Sequence, residues 1–153
     1  MVWASADVGS NIYVKAHCKG EVKDRCVTLT FDDGPNAENT SNVLDVLKRH
    51  NIRATFFLIG KNVEEHPALA SRMVEEGHIV ANHTYTHSSK FPLGNRYDVE
   101  REIRACSDAI HNATGRRPRL FRPPFGVTTP NIGKASRGLR QEVIGWSIRS
   151  YDT

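Results

Sequence analysis

Val27-Thr28-Leu29-Thr30-Phe31-Asp32-Asp33-Gly34-Pro35 is the stretch on which the reading of this chain turns. It begins with β-branched and apolar residues, ends in two adjacent carboxylates and stops at Gly-Pro. Such a run reads as a short buried strand, Val27–Phe31, followed by a sharp turn. In a continuing strand Asp32 and Asp33 would point to opposite faces. The break at Gly34-Pro35 lets both reach one pocket with different roles. Asp-Asp-Gly alone is a common turn sequence; its place at the end of a buried strand makes it more specific.

Working outward, the same alternation recurs. Thr40 is a good N-cap for a helix carrying Val43, Leu44 and Leu47, with Asn51 as its stop. Ala54-Thr55-Phe56-Phe57-Leu58-Ile59 reads as a second buried strand closed by Gly60. Pro67 suits the first turn of a helix with Leu69, Met73 and Val74, ended by Gly77. Ile79-Val80-Ala81 is a third strand that delivers His83. Asp98 is expected to cap a long helix with Val99, Ile103, Cys106 and Ile110 on one face, closed by Gly115. Leu120-Phe121 delivers Arg122, and a weak helix over 131–138 leads to a last strand, Val143–Ser147. Alternating strands and helices predict an α/β fold with a largely parallel sheet. In such folds chemistry collects at the carboxyl ends of strands, where these polar motifs lie.

His83 and His87 are four residues apart. On a helical turn that spacing puts both imidazoles on one face. Two histidines so spaced are half of a metal site as readily as a solvated surface pair. With Asp33 they offer two nitrogens and one oxygen, leaving a position open for water as catalytic zinc sites do. His17, His50, His66, His78 and His111 lack such spacing and read as surface or helix-end residues. Arg122 is followed by Pro123 and Pro124, which hold the backbone extended. Beside two carboxylates its best role is to pair with the one that is not a ligand. Gly126 would permit close approach to a ligand.

Composition bounds the remainder. The 153 residues carry 21 Lys and Arg against 17 Asp and Glu, a net charge of +4, with 39% apolar and 25% charged residues. That is enough for one globular domain with its own core. No dense Lys/Arg run or basic-aromatic interleaving points to nucleic acid. No stretch is long and apolar enough to span a membrane, and residues 1–7 lack the regions of a signal peptide. Cys18 and Cys26 flank a charged segment; a bridge is open to them, although the spacing does not establish it. Cys106 reads as a small buried hydrophobe.

The segments Thr30–Pro35, His83-Thr84-Tyr85-Thr86-His87 and Arg122-Pro123-Pro124-Phe125-Gly126, in this order, resemble the polysaccharide deacetylase family, the NodB-homology carbohydrate esterases of family 4. The resemblance runs from about Val27 to Ser147 and includes Val43–Leu47 and Ala54–Gly60. It implies a distorted (β/α) barrel over residues 27–153, after an N-terminal extension of residues 1–26. It implies a metal-dependent hydrolase that removes acetyl groups from a peptidoglycan-like or chitin-like polymer of N-acetylglucosamine. An O-acetyl xylan esterase or a non-catalytic carbohydrate-binding relative would share these motifs. By the same resemblance Asp32 is the general base, and Asp33, His83 and His87 bind one divalent ion, zinc first, with cobalt, nickel or manganese suited to the same set. Arg122 orients the base, and the Phe125 N–H helps hold the oxyanion. The family suggests an extracytoplasmic or envelope setting.

Two departures from the family pattern follow Trp146. Arg149 stands where an aspartate that supports Arg122 is expected, with Asp152 as a substitute, and Thr153 stands where a second tryptophan is expected. The family's Leu-x-His segment, which supplies the general acid, is not reached by residue 153. A chain ending there is expected to lack the last barrel elements, to bind metal and to turn over poorly. It is also expected to leave the edge of Val143–Ser147 open to self-association.

Overall fold

The computed structural model describes residues 8–20 and 26–148. Among these residues six short strands form one sheet: β1 (Ala16–His17), β2 (Thr30–Gly34), β3 (Thr55–Leu58), β4 (Ile79–Asn82), β5 (Leu120–Phe121) and β6 (Glu142–Ile144). All neighbours are parallel, in the order β1-β6-β5-β4-β3-β2. The helices are α1 (Asn39–Arg49), α2 (Gly60–Glu65), α3 (Pro67–Glu75), α4 (Arg96–Thr114) and α5 (Pro130–Gly138). This is the α/β architecture expected, with helices returning the chain between parallel strands.

The interior strand β3, next to the edge strand β2, is buried along its whole length, as a parallel strand covered on both faces should be. Two apolar clusters make the core. One gathers Leu44, Phe56, Leu58, Met73 and Ile110 around β3, α1, α3 and α4. The other gathers Val99, Ile103, Phe121, Ile132 and Val143 between α4, α5 and the β5–β6 half of the sheet. Helix α4 supplies both, because Val99, Ile103, Cys106 and Ile110 form the inward stripe its periodicity predicted.

Several local expectations are corrected. Helix α4 is capped by Asn95, whose side chain accepts from the Asp98 N–H at 3.0 Å; Asp98 itself is in the first turn. Thr40 lies inside α1, and its hydroxyl accepts from the Asn36 N–H at 2.8 Å, holding the preceding turn instead of capping. Strand β2 begins at Thr30, and Val27 is exposed. His78 is buried, not a surface residue; its Nδ1 accepts from the Ala54 N–H at 3.2 Å. The edge expected to lie open along the last strand is covered. β1, drawn from residues assigned to an extension, pairs with β6 through Ala16–Val143 and His17–Ile144. Val8, Val14 and Ala16 are buried with it. No disulfide joins the cysteines among the described residues. Arg149, Asp152 and Thr153 lie outside the described residues, so the expectations that rest on them do too.

Candidate metal centre and acid–base site

The polar motifs meet at the carboxyl ends of β2, β4 and β5. On β2 the register against β3 shifts between Phe31 and Gly34: Phe31 faces Phe56, but Gly34 faces Leu58. One extra residue is accommodated there, a bulge that re-aims side chains. Asp33 takes up the kink with φ of 66°. This bulge, rather than strand termination alone, turns the two neighbouring carboxylates to different partners at one end of the sheet. Asp33 is held by Asn62 on α2, whose Nδ2 donates to the Asp33 carbonyl at 2.9 Å.

His83 and His87 do not sit on a helical turn. They flank a tight loop after β4 in which Thr84 and His87 have φ of 69° and 51°. The loop is tied down from all sides. Asn82, fully buried, accepts from the Thr84 N–H at 2.9 Å and donates to the Ile103 carbonyl and Ser107 hydroxyl of α4. The first amides of α2, Gly60 and Lys61, donate to the Thr84 and Tyr85 carbonyls, both at 3.0 Å. The Thr84 hydroxyl accepts from the His87 N–H at 3.1 Å, and Glu102 accepts from the amide and hydroxyl of Thr86. The result brings the two imidazole ring centres within 4.8 Å.

Both histidines aim Nε2 at Asp33 Oδ1, at 3.5 Å from His83 and 3.4 Å from His87. One donor atom from each of the three lies within 4.8 Å of the others. The His83 Nδ1 lies 2.7 Å from the Arg122 carbonyl. A carbonyl can only accept, so the proton sits on Nδ1 and the Nε2 lone pair faces the cluster. That is the outer-shell bond by which metal-ligating histidines are oriented. Burial holds the His83 imidazole below its ordinary pKa, with the Asp32 charge opposing, which favours the neutral, ligating form. Two neutral imidazoles and a carboxylate suit a divalent ion with open positions.

Asp32 is engaged separately. Arg122 Nη1 donates to Asp32 Oδ1 at 2.6 Å and lies 3.0 Å from the Thr30 hydroxyl. The guanidinium is 2% exposed, and Nη2 donates to the Gly145 carbonyl at 2.9 Å. It stacks on Phe57 at 4.0 Å from the ring centre and lies 5.3 Å from that of Trp146. Burial pulls its pKa down and the Asp32 charge pulls it back up; a guanidinium stays charged through such a contest. Nε lies 3.4 Å from the carbonyl of Ile144, so within the described residues Arg122 is supported by Thr30, by the backbone carbonyls of Ile144 at the end of β6 and Gly145 after it, and by Phe57. Nothing in the sequence pattern marked these partners, because two of them are backbone groups.

Phe125 has φ of 60°, its ring centre is 4.9 Å from that of His87, and its N–H makes no hydrogen bond among the described residues. Gly126 differs from its expectation. What approaches it is the Trp146 ring, to which an added Cβ would lie at 2.8 Å, and not a space for ligand. Nothing in the sequence pattern marks Asn82 and Asn62, because an amide that bonds backbone groups far along the chain carries no spacing signal of its own.

The sequence model described as polysaccharide deacetylase matches residues 19–144. The chain belongs to the polysaccharide deacetylase family. It is 37% identical over 126 residues to a peptidoglycan-N-acetylglucosamine deacetylase of Bacillus cereus, covering 82% of this chain and 46% of that one. It is 43% identical over 129 residues to a chitooligosaccharide deacetylase of a Bradyrhizobium species, covering 84% of this chain and 58% of that one. Among solved structures, the Bc1960 peptidoglycan N-acetylglucosamine deacetylase superposes with a TM-score of 0.75 at 37% identity, over 78% of this chain and 56% of that one. The chain thus spans about half the length of the curated relatives named.

Proposed function

We propose that this site belongs to a metal-dependent deacetylase acting on the N-acetyl groups of an N-acetylglucosamine polymer, either peptidoglycan or a chitin-like chain. The observation that carries this reading is the convergence of Asp33, His83 and His87 donors beside an Asp32–Arg122 pair. The relatives named for deacetylation of such polymers support it.

In this reading Asp33, His83 and His87 hold one divalent ion, zinc by preference. When bound, that ion supplies Lewis-acid polarisation of a water and of the acetyl carbonyl. Asp32 takes the proton from the attacking water. Arg122 fixes the direction of the Asp32 carboxylate, since its own donors are committed to Thr30 and Gly145 as well. The Phe125 N–H, without a partner among the described residues, donates to the oxygen on which charge develops. His83 is held in its ligating tautomer by the Arg122 carbonyl, so one residue serves both halves of the site.

Release of acetate from acetylated chito-oligosaccharide and from peptidoglycan tests the proposal. It is measured with these 153 residues and with a chain of the relatives' length. Acetate release that stops with a chelator, returns with zinc and is lost in His87→Ala is expected. No acetate release from either form, or release indifferent to chelation, would overturn it.

A further inference from the structure

A second polar cavity lies at the opposite end of the sheet, at the amino ends of β5 and β6. Its volume is about 530 Å³, and four arginines line it: Arg104 from α4, Arg117 and Arg119 from the connection to β5, and Arg140 from the connection to β6. The floor is polar. Ser107, 8% exposed, accepts from Gln141 Nε2 at 3.2 Å. Asp108 is the one acid among the described residues that line it. Asp108 pairs with Arg117 at 2.9 Å, while Arg104, Arg119 and Arg140 have no carboxylate partner among the described residues.

Four guanidiniums against one carboxylate give its described lining a net charge of +3. They come from three separate segments, so helix periodicity does not account for their meeting. Arg140 is held there with φ of 54°, a conformation unfavourable for a side chain of its kind. None of these groups touches the metal-centre residues, and neither the fold nor the proposed deacetylation uses them. Exposed guanidiniums gathered around one concavity make it positive, and such a cleft attracts anions. Guanidinium forks match phosphate oxygens two at a time. The charge exceeds what one carboxylate would neutralise, and the volume exceeds what one small inorganic ion fills.

We propose that this cavity binds a phosphate ester of a polyol, with the phosphate between Arg119 and Arg140 and the hydroxyl-bearing part over the Ser107–Gln141 floor. The inference does not rest on the deacetylase reading: Ser107 also accepts from Asn82 Nδ2 at 2.9 Å, but none of the four arginines touches Asp32, Asp33, His83, His87 or Arg122. Calorimetric titration with glycerol 3-phosphate tests it, with glycerol, inorganic phosphate and sulfate as comparisons. The expected result is saturable one-to-one binding of the ester that weakens with salt. Arg119→Gln and Arg140→Gln should each lower affinity about tenfold. Arg101→Gln, an exposed arginine of α4 paired with Asp98, should leave it unchanged. Arg119→Lys should lose affinity too, since an ammonium cannot reproduce the fork. Absence of saturable binding would overturn the proposal. So would sulfate or inorganic phosphate binding as tightly as the ester, or Arg101→Gln weakening it equally.

Discussion

At the carboxyl ends of β2, β4 and β5, Asp33, Thr84, His87 and Phe125 adopt φ of 66°, 69°, 51° and 60°. In the helical layer the comparable positions are Asn51 after α1, Gly77 after α3 and Gly115 after α4, the residue types that tolerate a left-handed backbone. Each non-glycine in that region costs about 1–2 kcal/mol relative to an ordinary conformation. Helices α1, α3 and α4 therefore end on local preference, with Arg140 after α5, φ 54°, as the exception, while the loops of the candidate metal centre oppose it four times within one site. What holds those loops is visible: Asn82, the first amides of α2, Glu102 and the buried Arg122. Strain of this kind persists only where surrounding contacts over-determine it, and it marks the working end of the sheet.

The largest difference between the two regions is expected in catalysis. Asp32→Asn removes the proposed base but keeps the shape of the side chain, and turnover should fall about 10²–10⁴-fold. Its metal content should stay at the wild-type level. Loss of metal in this variant would mean that Asp32 is also a ligand.

A smaller effect separates the two ends by stability. Arg122→Ala leaves the Gly145 carbonyl and the half-buried Asp32 without their partner, and should destabilise by about 3 kcal/mol. Arg101→Ala, in an exposed pair of 3.3 Å with Asp98, should change stability by less than about 1 kcal/mol. Equal losses in denaturant unfolding would remove the distinction between the site and the helical surface.

Smaller again is the effect of a single methyl. Gly126 has φ of 68° and an added Cβ would meet Trp146 at 2.8 Å, so Gly126→Ala combines backbone strain with a clash. Gly115 has φ of 70°, but nothing lies within 4 Å of its added Cβ. Gly115→Ala should cost about 1 kcal/mol, and Gly126→Ala about 2–3 kcal/mol. The reverse order in thermal melts would show that packing at the site is looser than it is at the helix end.

The smallest effect lies at the other end of the sheet. Burial lowers the His78 pKa, so the unfolded chain binds its proton more readily than the folded one. Stability should therefore be insensitive to His78 above about pH 6.5 and fall as pH drops below that value. Protonation would also remove the Nδ1 acceptor used by Ala54. His78→Phe should flatten the slope of stability with pH below 6.5; an unchanged slope would assign the dependence to other groups, His83 among them.

Much of this molecule was legible because it follows local rules. The β3 run, the α4 stripe and the Pro67 helix start carry their periodicity or caps openly. Other features depend on partners far away in sequence. β1 has two residues and pairs with a strand more than a hundred positions later, so no local window marks it. Helix α2 has only Val63 as an apolar residue to set a period. The three residues that converge as candidate ligands, Asp33, His83 and His87, stood out by their motifs, but the spacing of His83 and His87 suggested a helix where a strained loop brings the rings together. The supports of Arg122 were the least readable, being backbone carbonyls and a ring that only the folded chain assembles.

The most direct test of the account is zinc affinity by competition with a chromophoric chelator, measured on the wild type and on Asp33→Ala, His83→Ala and His87→Ala, with Asp32→Asn as the control. One ion per chain is expected. Each of the three substitutions should weaken binding by at least about 10²-fold, more than loss of an outer-shell partner does, and the control should bind as the wild type. Zinc affinity that survives any two of the three substitutions would contradict the assignment of this cluster as the metal centre.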